Sequence, residues 1–301
     1  MCTAFSWGEG RYFGRNLDLE YHYDEAVVTL GRDFPLTYRH LDTDRKHYAM
    51  IGIATVVGGY PLFYDAMNEH GLCMAGLNFV KNARYAGRVT GKCPLAPYEL
   101  IPYLLARARS VKEARTLLDG ITLVATPFSE KLPLAELHFL VSDGVESLVV
   151  EPRSAGLRLY FSASELLTNN PPYPFHVFNC EQYRHLSPKD TVDSFSRGLA
   201  AFGLPGDLSS ASRFVRAQFV KQHATLPEDG AASLRQCFHI LASVAMVEGC
   251  IRLASGMPKT VYSACLDRQT LAYHVLTYEQ YAPITVTLAP DTLFGEVKIF
   301  S

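Results

Sequence analysis

The chain opens MCTAFSWGEGRYFGRNLDLEY (1–21), and the reading of this stretch decides the fold. CTAFSW and RYFGRNLD are short, aromatic-rich runs joined by Gly-Glu-Gly at 8–10, so residues 3–19 read as a β-hairpin with CTAFSW as its first strand. Such a strand carries a cysteine at its head. Once Met1 is removed, the thiol and a free α-amino group belong to the same residue, Cys2. An amine with a pKa of roughly 7.7–8.0 is a suitable base for a thiol that is otherwise only a few per cent ionised at neutral pH. The small side chain of Cys2 permits trimming of Met1 by ordinary processing. The hairpin also returns Arg15 and Asp18 beside residue 2. A fixed positive charge near sulfur lowers its pKa. A fall of about 1.5 units, worth ~2 kcal/mol, brings a thiol to half ionisation at pH 7. Asp18 is placed to accept hydrogen bonds from the terminal ammonium. The same residues also suit a strand-end ion pair beside a buried terminal cysteine, and alone they leave both alternatives open.

Outward from the hairpin, strand-like runs recur at EAVVTL (25–30), YAMIGIATVV (48–57) and GLCMAGLNF (71–79). The period then changes to helical in PYELIPYLLARAR (97–109) and SVKEARTLLDG (110–120). The second has Ser110 as N-cap, Glu113 three residues on and Gly120 as its stop. Strands resume at ELHFLVSD (136–143) and ESLVVEP (146–152), with Gly144 in the turn between, and continue to about Leu167. Helices are expected at 210–224 and 232–249. TVYSACLD (260–267), TLAYHVLTYE (270–279) and PITVTLAP (283–290) close the chain as strands. This order predicts an α+β sandwich: two mostly antiparallel sheets with helices outside them, in a single domain over 1–301.

The totals exclude several classes. The 301 residues are 48% hydrophobic and 19% charged, a globular composition. Lys plus Arg is 28 against 30 for Asp plus Glu, a net charge of −2, and no basic cluster occurs. Nucleic acid and anionic membrane surfaces are therefore not expected partners. The apolar stretch 49–64 is broken by Gly58, Gly59 and Pro61 and is too short to span a bilayer. With no signal-peptide pattern at the start, the expected location is the cytoplasm. Seven cysteines, an odd number, suit reduced core thiols better than a disulfide framework. No Cys-x-x-Cys or His-Glu-x-x-His spacing calls for a metal.

Met-Cys-Thr, GRNLDLEY (14–21), GLCMAGLNF (71–79), LTNNP (167–171) and GLPGDLSSASRF (203–214), in that order, resemble the choloylglycine hydrolases. That family holds bile salt hydrolases and penicillin V acylases within the N-terminal nucleophile hydrolases. The resemblance implies a four-layer αββα sandwich and an amidase mechanism without metal or organic cofactor. It implies Cys2 as nucleophile with its freed amine as base, Arg15 supporting the thiolate and Asp18 holding the amine. Asn169 would donate to the oxyanion, Asn78 would complete that hole, and Arg213 would lie beside the nucleophile. Amide side chains suit an oxyanion because they donate without adding charge. Read alone, Asn78 closes a strand, Asn169 is a turn residue before Pro171, and Arg213 is a solvated helix charge.

Asn78 is similar to the bile salt hydrolases, whereas penicillin V acylases favour an aromatic residue there. GGYPLFYD (58–65) and TPFSEKLPLAE (126–136) read as apolar loops around the entrance. Leu17, Tyr64, Phe128 and Leu132 match family positions that line the acyl pocket, although Tyr64 is bulky for a steroid. The expected activity is hydrolysis of glycine- or taurine-conjugated bile acids. The alternatives are penicillin V or N-acyl homoserine lactone as substrate, acyl transfer to a free amino acid, and a non-catalytic steroid binder with an inert Cys2. The resemblance also implies a homo-oligomer, tetramer or dimer, built through a loop that reaches a neighbour. In this chain the corresponding stretch, 181–207, is shorter than its usual counterpart.

Overall fold

A computed structural model describes residues 1–190 and 198–300. Its first elements are the expected hairpin, Cys2–Trp7 (β1) and Tyr12–Leu19 (β2), with Cys2 opposite Leu17 and Ala4 opposite Arg15. Gly8, Glu9 and Gly10 turn the chain with φ of 70°, 54° and 81°. Gly10 also lies against Gly144, where a Cβ would come within 1.9 Å of the Gly144 carbonyl oxygen.

The chain continues through Ala26–Leu30 (β3), Met50–Val57 (β4), Tyr60–Asn68 (β5), Cys73–Asn78 (β6) and Cys93–Leu95 (β7). Helices Leu100–Leu105 (α1) and Val111–Asp119 (α2) follow. Then come Ile121–Leu123 (β8), Leu137–Ser142 (β9), Ser147–Arg153 (β10), Gly156–Phe161 (β11) and Leu166–Leu167 (β12). Three helices, Tyr173–Glu181 (α3), Ser210–His223 (α4) and Gly230–Ala242 (α5), precede the last strands. These are Lys259–Asp267 (β13), Ala272–Thr277 (β14), Ile284–Thr287 (β15) and Lys298–Phe300 (β16).

A six-stranded sheet runs β12-β1-β2-β13-β14-β15 and an eight-stranded sheet β11-β10-β9-β6-β5-β4-β3-β16. Every pairing in both is antiparallel. Alternation along β6 shows the layering. Cys73, Ala75 and Leu77 pack with Cys2, Ala4 and Leu17 between the sheets. Met74, on the other face, packs with Leu100, Leu104, Val111 and Ala114 of α1 and α2. On the far side α5 covers β2, where Asn16 Nδ2 donates to the Leu241 carbonyl at 2.9 Å. The result is the expected αββα order.

Local boundaries differ from expectation for identifiable reasons. GGYPLFYD (58–65) is not a loop. Gly58 and Gly59, with φ of 59° and 80°, make a two-residue turn, and Tyr60 starts β5 opposite Val57. The helix expected over 97–109 is a 3₁₀ turn at Pro97–Glu99 followed by the short α1, because Pro102 has no amide to donate back to the Tyr98 carbonyl. Helix α5 stops at Ala242 because the next residues bond to β13 instead. Met246 N donates to Thr260 Oγ1 at 2.7 Å, and Thr260 N donates to the Met246 carbonyl at 3.0 Å. Helix α3 escaped notice among Pro171, Pro172 and Pro174, yet prolines at a helix start lose no intrahelical bond. All seven cysteines are free, but they are not all core residues: Cys93 and Cys250 are exposed. Of the shortened stretch 181–207, residues 191–197 lie outside the described residues. Among the described residues, no helix is long and apolar enough to cross a membrane.

Candidate active site

The register of the first hairpin sorts its side chains onto two faces. Cys2 and Ala4, with their partners Leu17 and Arg15, look between the sheets. Thr3 and its partner Asn16 look toward the helices, and Asp18 follows on that same face. Met1 extends the ladder by one rung. Asp18 N donates to the Met1 carbonyl at 2.8 Å, and the Met1 ammonium donates to the Asp18 carbonyl.

Between the sheets, Cys2 is 1% exposed and Arg15 is wholly buried. Arg15 Nη2 donates to the Gly76 carbonyl of β6 at 2.7 Å, and its Nε lies 3.7 Å from Asp65 Oδ2 of β5. Burial pushes the Cys2 thiol up, and the nearby Asp18 charge adds to this. The Arg15 guanidinium and the terminal ammonium more than offset both, so the thiol lies below its ordinary value. Arg15 is thus brought to the side of the thiol. Asp65, assigned to a loop from sequence, stands beside Arg15 on a strand.

On the helix face, Arg213 projects from α4, whose start is capped by Ser209 accepting from Ser212 N. It is fully buried and not a solvated helix charge. Its Nη1 donates to the Cys2 carbonyl at 2.7 Å and to Thr3 Oγ1 at 2.8 Å, while Nη2 donates to Asn169 Oδ1 at 2.8 Å. Asp18 Oδ1 accepts from Thr260 Oγ1 at 2.7 Å, and Oδ2 lies 3.9 Å from Arg213 Nη1 with no hydrogen-bond partner. With Met1 present, the ammonium meets the main chain of Asp18 and not the expected carboxylate, because the extra residue occupies a ladder position.

Asn169 ties the two faces together. Its Oδ1 accepts from Cys2 N at 2.5 Å, and its Nδ2 donates to the Asn78 carbonyl at 2.8 Å. The expected pair Asn169 and Asn78 therefore does meet, through the Asn78 main chain at the end of β6. One hydrogen of Asn169 Nδ2 remains beyond that bond.

The backbone that carries Asn169 is gripped by side chains that sequence inspection missed. Asn169 N donates to Ser210 Oγ at 2.7 Å, and Thr168 Oγ1 donates to the Ser210 carbonyl at 3.0 Å. His138 Nε2 donates to the Thr168 carbonyl and His176 Nε2 to the Asn169 carbonyl, each at 2.8 Å. Burial lowers the pKa of both rings, that of His176 to about 4, so each is neutral with its hydrogen on Nε2. Glu151, whose Oε1 lies 3.7 Å from His138 Nδ1, also accepts from Tyr173 N at 2.7 Å and anchors α3 to the same cluster. Histidines in apolar runs, HFLV at 138–141 and FHVF at 175–178, were the available signal.

The four residues expected to line an acyl pocket fall in two places. Leu17 is buried beside Cys2, and Tyr64 is half-buried on β5 with its hydroxyl 3.0 Å from Thr55 Oγ1. Phe128 belongs to another cluster, its ring 5.8 Å from Tyr60 and 5.3 Å from Tyr98, with the Arg39 guanidinium over its face at 5.7 Å. Leu132 is half-buried in the same segment, its N donating to Ser129 Oγ at 3.2 Å.

Two antiparallel sheets between helical layers, with a thiol at the head of an inner strand, define an α+β sandwich of the N-terminal nucleophile hydrolase type. The chain belongs to the choloylglycine hydrolase family of linear amide C–N hydrolases, whose family model matches residues 2–298. It is 43% identical over 304 residues to the bile salt hydrolase/transferase of Lactiplantibacillus plantarum, covering 97% of this chain and 94% of that one. The solved structure of the mutant C2A conjugated bile acid hydrolase from Clostridium perfringens matches with a TM-score of 0.91 at 30% identity, covering 100% of this chain and 97% of the other. Penicillin V acylase from Agrobacterium tumefaciens shares the fold, with a TM-score of 0.80 at 17% identity over 99% of this chain and 90% of that one.

Proposed function

We propose that this chain is a bile salt hydrolase that cleaves the amide bond of glycine- or taurine-conjugated bile acids through an acyl-thioester on Cys2. The observation that carries the proposal is the double hold on Cys2. Arg15 pulls the pKa of its thiol down, while Asn169 Oδ1 holds its main-chain nitrogen at 2.5 Å.

In this mechanism loss of Met1 turns that nitrogen into an α-amine. The amine takes the thiol proton, and the sulfur attacks the amide carbonyl, forming a C–S bond as the carbonyl electrons move to oxygen. The oxyanion takes the free hydrogen of Asn169 Nδ2 and the side-chain amide of Asn78. Such a donor is worth about 3–4 kcal/mol in the transition state. Collapse breaks the C–N bond, and the ammonium of residue 2 protonates the departing glycine or taurine. Water, deprotonated by the same amine, then attacks the thioester and releases the bile acid and the thiol. Asp18 Oδ2, buried without a hydrogen-bond partner, supports a role as acceptor for the new ammonium. Leu17 and Tyr64 offer the steroid apolar wall, worth roughly 25 cal/mol per Å² removed from water.

A second outcome for the same thioester is capture by a free amino acid, which would make a new conjugate. The relative named bile salt hydrolase/transferase favours testing it.

The test starts from intact mass, which should show Met1 absent. Glycine and taurine release from conjugated cholates is then compared with turnover of penicillin V and an N-acyl homoserine lactone, with product analysis in added amino acid. Cys2→Ser should lose turnover. Retained Met1 in an active protein, full activity of Cys2→Ser, or a kcat/KM that favours penicillin V would overturn the proposal.

A further inference from the structure

The mechanism above uses Arg15 but gives no task to the group on its other side. A buried guanidinium needs partners on every nitrogen, yet Arg15 Nε and Nη1 have no hydrogen bond. The near neighbour of Nε is Asp65, held on two sides at once. Tyr262 donates its hydroxyl hydrogen to Asp65 Oδ2, and Tyr273 donates to Oδ1. All four side chains are buried. The two tyrosines come from adjacent strands, β13 and β14, and Tyr262 sits directly opposite Leu17 of β2. A carboxylate that accepts from two hydroxyls and faces a guanidinium is built to carry its charge. Arg15 therefore serves two anions, the Cys2 thiolate on one side and Asp65 on the other.

We propose that Asp65 is a positioning residue for Cys2 that acts through Arg15: seated between Tyr262 and Tyr273, it fixes the guanidinium between the sheets and draws part of its charge away from the sulfur. The proposal rests on Cys2 being the nucleophile, as above, and not on which acyl group it takes. Its chemical sense lies in the balance between population and reactivity. A thiolate stabilised too far is abundant but weakly nucleophilic, since reactivity falls with pKa at a Brønsted slope of about 0.4–0.5. Asp65 keeps Arg15 from overshooting.

The groups that face the pair can be enumerated. Around the thiol stand Arg15 and Asp18 of β2, Tyr262 of β13, Arg213 of α4 and the terminal ammonium. Around Asp65 stand Arg15, Tyr262, Tyr273 and Cys73. Burial is the largest influence on the Asp65 carboxyl and leaves it above its ordinary value, while Arg15 and the two hydroxyls pull it back down. Losing a tyrosine donor should thus weaken its charge in the same direction as losing the carboxylate.

The experiment is the pH profile of Cys2 alkylation by iodoacetamide, with the adduct mapped to residue 2, on protein shown by mass to lack Met1. Asp65→Asn should move the midpoint of the profile down by roughly one pH unit, the size expected for a neighbouring charge. Tyr273→Phe keeps the carboxylate and should move it the same way by less, which preserves the test if Asp65→Asn does not fold. A merely structural role would lower stability and leave the midpoint in place. A midpoint unchanged or raised in a folded variant overturns the proposal. The readout needs no turnover, so a downward shift in a protein inert toward conjugated bile acids would refute the substrate and leave the role of Asp65 standing.

Discussion

Taking this protein from pH 8 to pH 5 should cost its fold about 2 kcal/mol through His176 alone. The ring stacks on Phe214 at 4.8 Å and donates to the Asn169 carbonyl. Burial holds its pKa at about 4 against an ordinary 6.5; the bond to Asn169 and the charge of Glu151 oppose that fall, and His138 and Arg213 add to it. The unfolded chain therefore takes up this proton first. Stability from the neutral ring is complete above pH 6.5 and drains away as the pH falls toward 4. The whole gap is worth ~3.4 kcal/mol, of which about 2 kcal/mol is gone by pH 5. Urea unfolding at pH 8 and pH 5, on the native sequence and on His176→Gln, isolates the contribution. Glutamine keeps an amide donor for the Asn169 carbonyl but does not titrate, and the His138 contribution is common to both proteins. The native sequence should lose about 2 kcal/mol more than the variant. If both lose the same amount, His176 is not held neutral by its site, and the account of how Asn169 is gripped fails with it.

Asn169→Ala removes the proposed oxyanion donor and the acceptor for the nitrogen of residue 2. It should cut kcat by about 10²–10³ with little change in KM, and a loss confined to KM would assign Asn169 to binding. Arg213→Met removes one donor from each of four oxygens, the main-chain oxygens of Cys2 and Leu208 and the side-chain oxygens of Thr3 and Asn169. It also leaves Asp18 buried without its cation, and urea unfolding should show a loss of about 3–5 kcal/mol. Gly10→Ala forces a side chain into a left-handed turn and onto the Gly144 carbonyl. Stability should fall by about 2 kcal/mol or more, seen as a lower thermal midpoint, and an unchanged midpoint would mean that the two turns are not locked together.

Much of the site was legible because it lies on one local element. The hairpin 3–19 could be read from its aromatic-rich runs and its Gly-Glu-Gly turn, and the place of Arg15 follows from the pairing. The cap of α2 was written in Ser110. What escaped was set by contacts between distant segments. Asp65 looked like a loop residue after Gly58-Gly59, because only the pairing of β4 with β5 makes those glycines a tight turn. Helix α3 was hidden by prolines that suit a helix start as well as they suit a loop. The end of α5 depends on Thr260, eighteen residues beyond Ala242, competing for Met246. His138 and His176 meet across the Asn169 backbone from a strand and a helix, so no spacing in sequence announces them. The family resemblance supplied Asn78, but the bond it makes here runs through its carbonyl, a distinction that residue type cannot carry.

Strand β2 is electrostatically two-sided, and hydrogen-bond register alone decides which side the sulfur sees. In the observed pairing, Arg15 shares the face of Cys2, while Asp18 points the other way, toward Thr260 and Arg213. A slip of one residue would exchange the faces and present the sulfur with Asn16 and Asp18. The thiol would then be pushed up where it is now drawn down, with no atom of the composition changed. The irregularity between Thr260 and Tyr262 in β13 lets that strand serve both faces, with Thr260 under Asp18 and Tyr262 beside Leu17. The charge that this thiol meets is therefore a consequence of alignment, and a misregistered hairpin would leave Cys2 without Arg15 even in a chain that had otherwise folded.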